Sequence, residues 1–577
     1  MSGFESFHLG VWDYAIFVGY FVILSTIALW IGRKKKANSE DYFLAGRTLP
    51  WYVVGTSFIG ANISSEHFIG AIGTAYIFGI CVALSEWGNI WVFSLLIWFF
   101  IPFLLASRIV TMPQFLERRY GPVLRQCFAV MTLISNVVAF LAAVLYGGGL
   151  ALQALFHWDL WVSVMVLGGL AGLWAMYGGL KTVAYTEFFM VIVMLTGGLL
   201  VTVLGLYSLS GDAHSLLVGW KKMIAANQAT TGVWREAVAK NAQAIAHVDD
   251  YNRLSVIQPI THRLAPWPNL LVGFLSVSLW YNVCNQFMIQ RVLGAKDIYH
   301  ARMGIVLAGF LKIVLPLAIV VPGLILFAMH PEAMLLPWKD IPTQADKGYV
   351  SLLQSLIPIG LRGLFLAALF SAIQSSLNAV INSTATIFTI DIYKRMIRRK
   401  ATERHYVVVG MMASVIVTVI GILLAPGIAK MGKGLFVYIH TLFAFFAPPF
   451  ASVFLLGILF RRINTAGAST AVFLGFTFAV LMKLYVQNVS THPFWLEPFA
   501  MQAFADWLFC TIVCVVVSVL TPPPPPEKVT DDLTFNWRKL NVTRQLGEHW
   551  YQSVAFWWLI FVGVVLGLIG LLSGIFI

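Results

Sequence analysis

The sequence predicts an all-α, polytopic membrane protein, and three observations carry that reading. Its 577 residues are 59% hydrophobic and only 11% charged, with a mean hydropathy of +0.82, whereas soluble folds carry about a quarter charged residues. Apolar runs recur from end to end, about fourteen in all, each of about 18 residues or more and so able to cross a bilayer as a helix. Two of these runs are broken near their middles by polar residues, in "GANISSEHFIGA" (60–71) and "SVSLWYNVCNQFMIQR" (276–291). Unpaired backbone at that depth is tolerated only where it lines a cavity.

Taken in order, residues 11–32 form an extra N-terminal helix. The run is too long for the apolar core of a signal peptide, lacks a basic segment before it and is followed by "RKKK" (33–36), so it reads as a retained anchor. Residues 51–208 hold five spans and residues 267–458 hold five more. An odd number of helices per half turns the second half over in the membrane, which is the inverted-repeat plan of many transporters, and each half begins with one of the two interrupted helices. Between the halves, the polar residues 209–266 read as an extracellular loop of short amphipathic helices capping the membrane domain. Residues 464–577 add C-terminal helices around a Pro-rich linker at 521–551, which opens with the polyproline II sequence "TPPPPPEK". Residues 1–577 are thus a single membrane domain with no soluble catalytic unit.

The net charge of +13 does not point to nucleic acid, because "RKKK", "ERRY" (117–120), "KRMIRRKATER" (394–404) and "RR" (461–462) all border apolar runs. Roughly two-thirds of the Lys and Arg fall on the face that holds "RKKK", which makes that face cytoplasmic and places the N-terminus outside. An even number of spans puts the C-terminus outside as well. The five cysteines lie in apolar runs, with no metal-ligand spacing.

Charge inside a span costs about 2.5–3.5 kcal/mol on insertion scales, so each such residue needs a reason. Glu66, Glu86, Glu187 and Lys312 lie well inside apolar runs, joined by His67 and His440. For Glu66 and Glu187, pairing within the bundle and a functional role both stand open. Glu86 and Lys312 favour function, because they come from different halves and are flanked by Asn89 and Asn282. On "FSAIQSSLNAVINSTATIFTIDIYK" (370–394) a hydroxyl-rich face carries Ser375 and Ser376. Such small residues often serve close helix packing. Beside an unwound helix that exposes carbonyls they can instead complete an oxygen cage for a monovalent cation, and neutral oxygens suit Na⁺ better than a divalent ion.

The stretches "DYFLAGRTLPWYVVGTSFIGANISSEHFIG" (41–70), "YGGLKTVAYTEFF" (177–189), "NQFMIQRVLGAK" (285–296) and "NSTATIFTIDIYK" (382–394) resemble the sodium/solute symporter family. The likeness is nearest its sodium/glucose cotransporter branch, which includes the bacterial sodium/galactose symporter. It implies a LeuT-type 5+5 inverted repeat with extra flanking helices and sodium-coupled uptake. By that resemblance the sodium site comprises backbone carbonyls of Gly60, Ile63 and Ala372 with the hydroxyls of Ser375 and Ser376. The sugar site falls on Asn62, His67, Glu86, Asn89, Tyr281, Lys312 and His440, with Ser278 on the same lining; Tyr281 matches an inner-gate aromatic and Phe436 part of an outer gate. The chain departs from the branch at Asn282, where an aromatic Trp is usual, at His440 in place of Gln, and at Glu187 in place of Asp. Ala71 and Ser85 are smaller than the usual outer-gate residues.

These readings converge on a sodium-coupled symporter of a sugar or polyol, hexose- or inositol-like, working by alternating access. A facing Glu86 and Lys312 cancel in charge and favour a neutral solute over a carboxylate. The alternatives are a sodium symporter for a monocarboxylate or sialic acid, and a transport-inactive solute sensor. No nucleophile–base set, metal cluster or pore-lining repeat marks an enzyme or a channel. One Na⁺ per solute is expected, since Ala372 offers no side-chain oxygen to a second ion; short termini point to a bacterial inner membrane.

Overall fold

The computed structural model describes residues 8–33, 39–228, 231–247, 252–338, 340–342, 344–345, 356–431, 435–489, 491–536 and 545–573. Among these residues there are isolated β-bridges but no named strand. Eleven helices are long and apolar enough to cross a membrane, and two shorter apolar ones, Leu160–Trp174 and Asn269–Cys284, accompany them. The difference from the expected count of about fourteen lies at three places. The two shorter helices fall below a full crossing in length, and Glu66–Ala106 forms one 41-residue stretch. That stretch bends at Gly79, whose φ of 84° only glycine adopts without strain. A Cβ there would meet the Arg253 carbonyl at 2.2 Å.

Both expected interruptions are present and share one geometry. The helix Trp51–Asn62 stops at Ile63, which is extended at φ −76°, ψ 124°. It restarts at Glu66–Ala71, where Ser64 Oγ accepts the Glu66 N–H at 3.1 Å and Ser64 O accepts the His67 N–H at 3.0 Å. A serine placed just before a helix satisfies backbone donors that have no intrahelical partner. In the second half, Trp280–Cys284 stops at Asn285, with φ −72° and ψ 126°, and Gln286–Leu293 follows with the Asn285 side chain as its cap. Polar residues inside both apolar runs thus provide the local bonds that let a membrane helix break.

The helix Arg362–Ile387 is the most buried of the bundle, with every residue from Phe365 to Ile387 enclosed, and it packs against Trp51–Asn62 and Gly179–Ala213. Its N-terminal end is tied to Val11–Gly32. Asp13, fully buried, accepts from Gly363 N at 2.8 Å and from Gly360 N at 3.0 Å, so a carboxylate from the extra helix neutralises the positive end of another. At the far end, Arg125 pairs with Asp391 at 2.6 Å and with Glu117, and Thr111 donates to Asp391 at 3.0 Å.

The segment between the halves folds into helices Leu216–Gln228 and Gly232–Ala246, followed by an irregular stretch. Arg253 anchors that stretch to the bundle, donating to the Tyr76 and Ile77 carbonyls at 2.7 Å each with its guanidinium 3.8 Å above the Phe327 ring. His262 nearby is buried with Nδ1 accepting from Leu264 N and Ala265 N at 3.1 and 3.0 Å, and burial pushes its pKa down to about 3.

Candidate functional site

The two interrupted helices line a cavity of about 160 Å³ that is partly open to solvent. Asn62, His67, Glu86, Asn89, Ser278, Tyr281, Asn282, Lys312, Phe436 and His440 all line it. Residues from both halves of the chain therefore converge on one space. Ser85 lines it too, whereas Ala71 is buried away from it.

Lys312 is its electrostatic centre. Its ammonium donates to both Glu86 Oε2 and Asn62 Oδ1, with Lys312 and Glu86 each only 4% exposed at the side chain. The other Glu86 oxygen lies 3.3 Å from His67 Nε2. Because His67 Nδ1 accepts the Ser64 N–H at 3.3 Å, the ring's proton sits on Nε2 and is donated to Glu86. The helix break therefore also sets a histidine tautomer. Asn62 in turn donates to Tyr281 OH at 3.0 Å, joining the two interrupted helices across the cavity floor. Tyr281 packs against Phe287 and Phe443, each ring 5.4 Å away.

On another wall, His440 Nδ1 lies 3.0 Å from Glu66 Oε1 and 3.0 Å from the Phe436 carbonyl. Both neighbours are acceptors, so Nδ1 carries the proton. The imidazole stacks on Phe436 at 4.1 Å. Glu66, for which bundle pairing and function stood open, thus lies on the cavity lining. Where an aromatic plate was expected in the branch, Asn282 donates to Asn89 Oδ1 at 2.8 Å and to the Ser278 carbonyl at 2.9 Å, so that wall is made of amides.

The candidate cation ligands gather beside this cavity rather than on its lining. Ser376 Oγ donates to the Ile63 carbonyl at 2.6 Å, at the first helix break. A Cβ added to Gly60 would stand 2.9 Å from Ser375 Oγ, so the glycine is what lets that hydroxyl approach the backbone. Ala372 is fully buried one turn earlier on the helix that bears both serines. Ser375 Oγ itself is buried and has no hydrogen-bond partner among the described residues. A buried hydroxyl left unpaired is rare and asks for a ligand, and a neutral oxygen next to peptide carbonyls fits Na⁺.

The sequence pattern of the sodium:solute symporter family matches residues 42–475. The chain belongs to that family. The symporter is 32% identical over 553 residues to the human sodium/myo-inositol cotransporter, covering 92% of this chain and 76% of the relative. It is 33% identical over 521 residues to the sodium/glucose cotransporter of Vibrio parahaemolyticus, covering 88% and 90% respectively. It shares its fold, at a TM-score of 0.69 and 20% identity, with a substrate-bound, outward-open Na⁺-coupled sialic acid symporter, over 89% of this chain and 98% of that one. The fold is accordingly the LeuT-type all-α membrane bundle.

Sequence reasoning left one part of the symporter's polar core unread. Glu187 Oε1 pairs with Arg291 at 2.7 Å, both side chains fully buried, and Ser57 donates to the other Glu187 oxygen while accepting from Arg291 Nε at 3.2 Å. The cluster ties the first interrupted helix, the helix Gly179–Ala213 and the second interrupted helix together next to Gly60. Arg291 stands within the "NQFMIQRVLGAK" stretch, and the signal for it was the need of Glu187 for a cation. The pairing itself joins residues 104 positions apart, a separation no local pattern reveals.

Proposed function

We propose that this chain carries a neutral sugar or polyol across a membrane together with sodium, by alternating access. The observation that carries the reading is that the cavity's lysine is already matched by an acid. Lys312 is held by Glu86, Glu66 faces His440, and His67 and four asparagines supply further donors and acceptors. A ring crowded with hydroxyls needs this mixture, since each hydroxyl both donates and accepts. A carboxylate solute would need a cation not already matched by an acid. The names of the relatives, myo-inositol and glucose cotransporters, point to the same solute class.

Asn62, His67, Glu86, Asn89, Ser278, Tyr281, Asn282, Lys312 and His440 hold the solute in this reading, with Tyr281 and Phe436 as gates. Gly60, Ile63, Ala372, Ser375 and Ser376 hold Na⁺. Coupling arises because Asn62 touches the solute while Gly60 and Ile63, two positions before and one after, face the ion. Ordering of the helix break by either ligand prepares it for the other, and such coupling is reciprocal. Five-helix repeats at 51–208 and 267–458 rock about this centre, with a cytoplasmic basic face, both termini outside and a bacterial inner membrane as the setting. Uptake of a labelled panel (hexoses, inositols, pentoses, sialic acid, short carboxylates) into proteoliposomes, with and without a sodium gradient, tests the reading. Gradient-dependent uptake of a hexose or cyclitol is expected. Uptake of carboxylates alone, or no uptake of any solute, would overturn it.

A further inference from the structure

Away from the cavity, the turn that joins Phe388–Ile397 to Glu403–Leu424 is stiffened by its own side chains. Tyr406 OH donates to the Arg398 carbonyl at 2.9 Å and accepts from Ala401 N at 3.1 Å. Tyr393 OH lies 2.9 Å from His405 Nε2, and Thr402 caps the following helix. Lys394 pairs with Glu403 at 3.2 Å and sits 4.5 Å above the Tyr406 ring, while Arg395 pairs with Glu117. The cations nearest the bundle are therefore matched.

Arg398, Arg399, Lys400 and Arg404 are not. All four are exposed, and none pairs with an acid among the described residues. The only side-chain bond from them among the described residues is Arg399 Nε to the Arg395 carbonyl at 2.8 Å, itself exposed. Immediately before them, at the end of the span, Met396 and Ile397 are 57% and 65% exposed. These neighbours have opposite needs. Hydrocarbon suits Met396 and Ile397, but each unmatched cation there would cost about 2.5–3.5 kcal/mol. Water suits the cations and leaves the two apolar side chains bare. The headgroup layer satisfies both, with apolar side chains at acyl depth and cations at the phosphates.

We propose that this turn is a binding site for anionic phospholipid, with Arg398, Arg399, Lys400 and Arg404 gripping the headgroup phosphate and Met396 and Ile397 lying against its acyl chains. The occupant is a lipid rather than free phosphate, because the apolar pair has no role toward an inorganic anion. The helix that ends here continues from Arg362–Ile387, which bears Ser375 and Ser376, so the lipid holds the end of the helix that carries the proposed cation ligands. None of this depends on which solute the cavity accepts.

Native mass spectrometry of the detergent-solubilised full chain, titrated with dioleoylphosphatidylglycerol, dioleoylphosphatidylcholine or inorganic phosphate, tests the proposal. Phosphatidylglycerol is expected to bind more tightly than phosphatidylcholine. One such cation is worth about fivefold at an anionic surface, so Arg398→Gln/Arg399→Gln/Lys400→Gln is expected to lose at least that much phosphatidylglycerol affinity. Lys400→Gln/Arg404→Gln, which spares the arginines nearest the span, is expected to lose at least about fivefold as well and serves as the second variant should the triple fail to fold. Equal binding of both lipids, wild-type phosphatidylglycerol affinity in the variants, or displacement of the lipid by millimolar phosphate would each overturn it.

Discussion

Glu86 and Ser375 show how differently two buried polar side chains can act. Glu86 is engaged by Lys312 on one oxygen and His67 on the other; in the proposed reading a solute hydroxyl joins bonds that already exist. Hydrogen bonds to charged groups are worth about 1.5–3 kcal/mol. Glu86→Gln is therefore expected to raise the solute concentration for half-maximal uptake by about 10–100-fold, with the sodium requirement changed far less. Equal losses for both ligands in transport assays would mean a structural role. Ser375 is the reverse case, a buried hydroxyl with no partner among the described residues. An unsatisfied buried group costs about 1–3 kcal/mol, so Ser375→Ala is expected to leave the sodium-free protein as stable or more so. The same substitution is expected to abolish most of the stabilisation that sodium gives. Thermal unfolding in NaCl against choline chloride reads both effects; unchanged sodium stabilisation would remove Ser375 from the ion site. Ser376→Ala differs in that it also deletes the bond to the Ile63 carbonyl, and so is expected to destabilise the ion-free form.

At the scale of elements, the helix breaks are the working parts, and each is built from side chains near it in sequence. Ser64 caps the restart of the first helix and Asn285 that of the second. The Ser57–Glu187–Arg291 cluster bridges the two, and removing one member of such a buried pair leaves the other uncompensated. The loop over the cavity has its own control. Leu264 and Ala265, which line the cavity, are held by donating to His262 Nδ1. The depressed pKa of His262 makes the unfolded loop bind more protons than the folded one below the ordinary histidine value of about 6.5. Its stabilising contribution is thus complete above about pH 6.5 and is lost as pH falls toward about 3, at about 1.4 kcal/mol per pH unit. Hydrogen-exchange protection factors across 252–268, which remove the slowing of intrinsic amide exchange at lower pH, are expected to fall between pH 7.5 and 5.5, and His262→Asn to flatten that dependence. Protection indifferent to pH in the unaltered chain would contradict it.

For the whole molecule, the proposed reading makes transport electrogenic. One cation moving with one neutral solute carries one net charge. Across about 100 mV that charge supplies about 2.3 kcal/mol, enough for on the order of fifty-fold accumulation at about 1.4 kcal/mol per tenfold. Current and labelled-solute flux measured together in proteoliposomes are expected to give one charge per solute. A ratio of two would call for a second ion site, with Glu187 and Ser57 the nearest polar groups to test.

Much of this was legible from the linear chain, because lipid imposes simple local rules. A run of apolar residues must be a helix, a polar interruption in it must be satisfied by something, and cations cluster at its ends. Those rules placed Glu66, Glu86, Glu187 and Lys312 as residues needing partners. Beyond the facing of Glu86 and Lys312, the pairings were out of reach. That His440 faces Glu66, that Arg291 neutralises Glu187, and that Asn282 bonds Asn89 depend on helices more than a hundred residues apart meeting at one depth and rotation. Burial in a low-dielectric interior makes an unmatched charge or amide costly, so the sequence alone declared that partners must exist. Only the packed bundle could choose them, because which side chains meet is decided by how the helices cross.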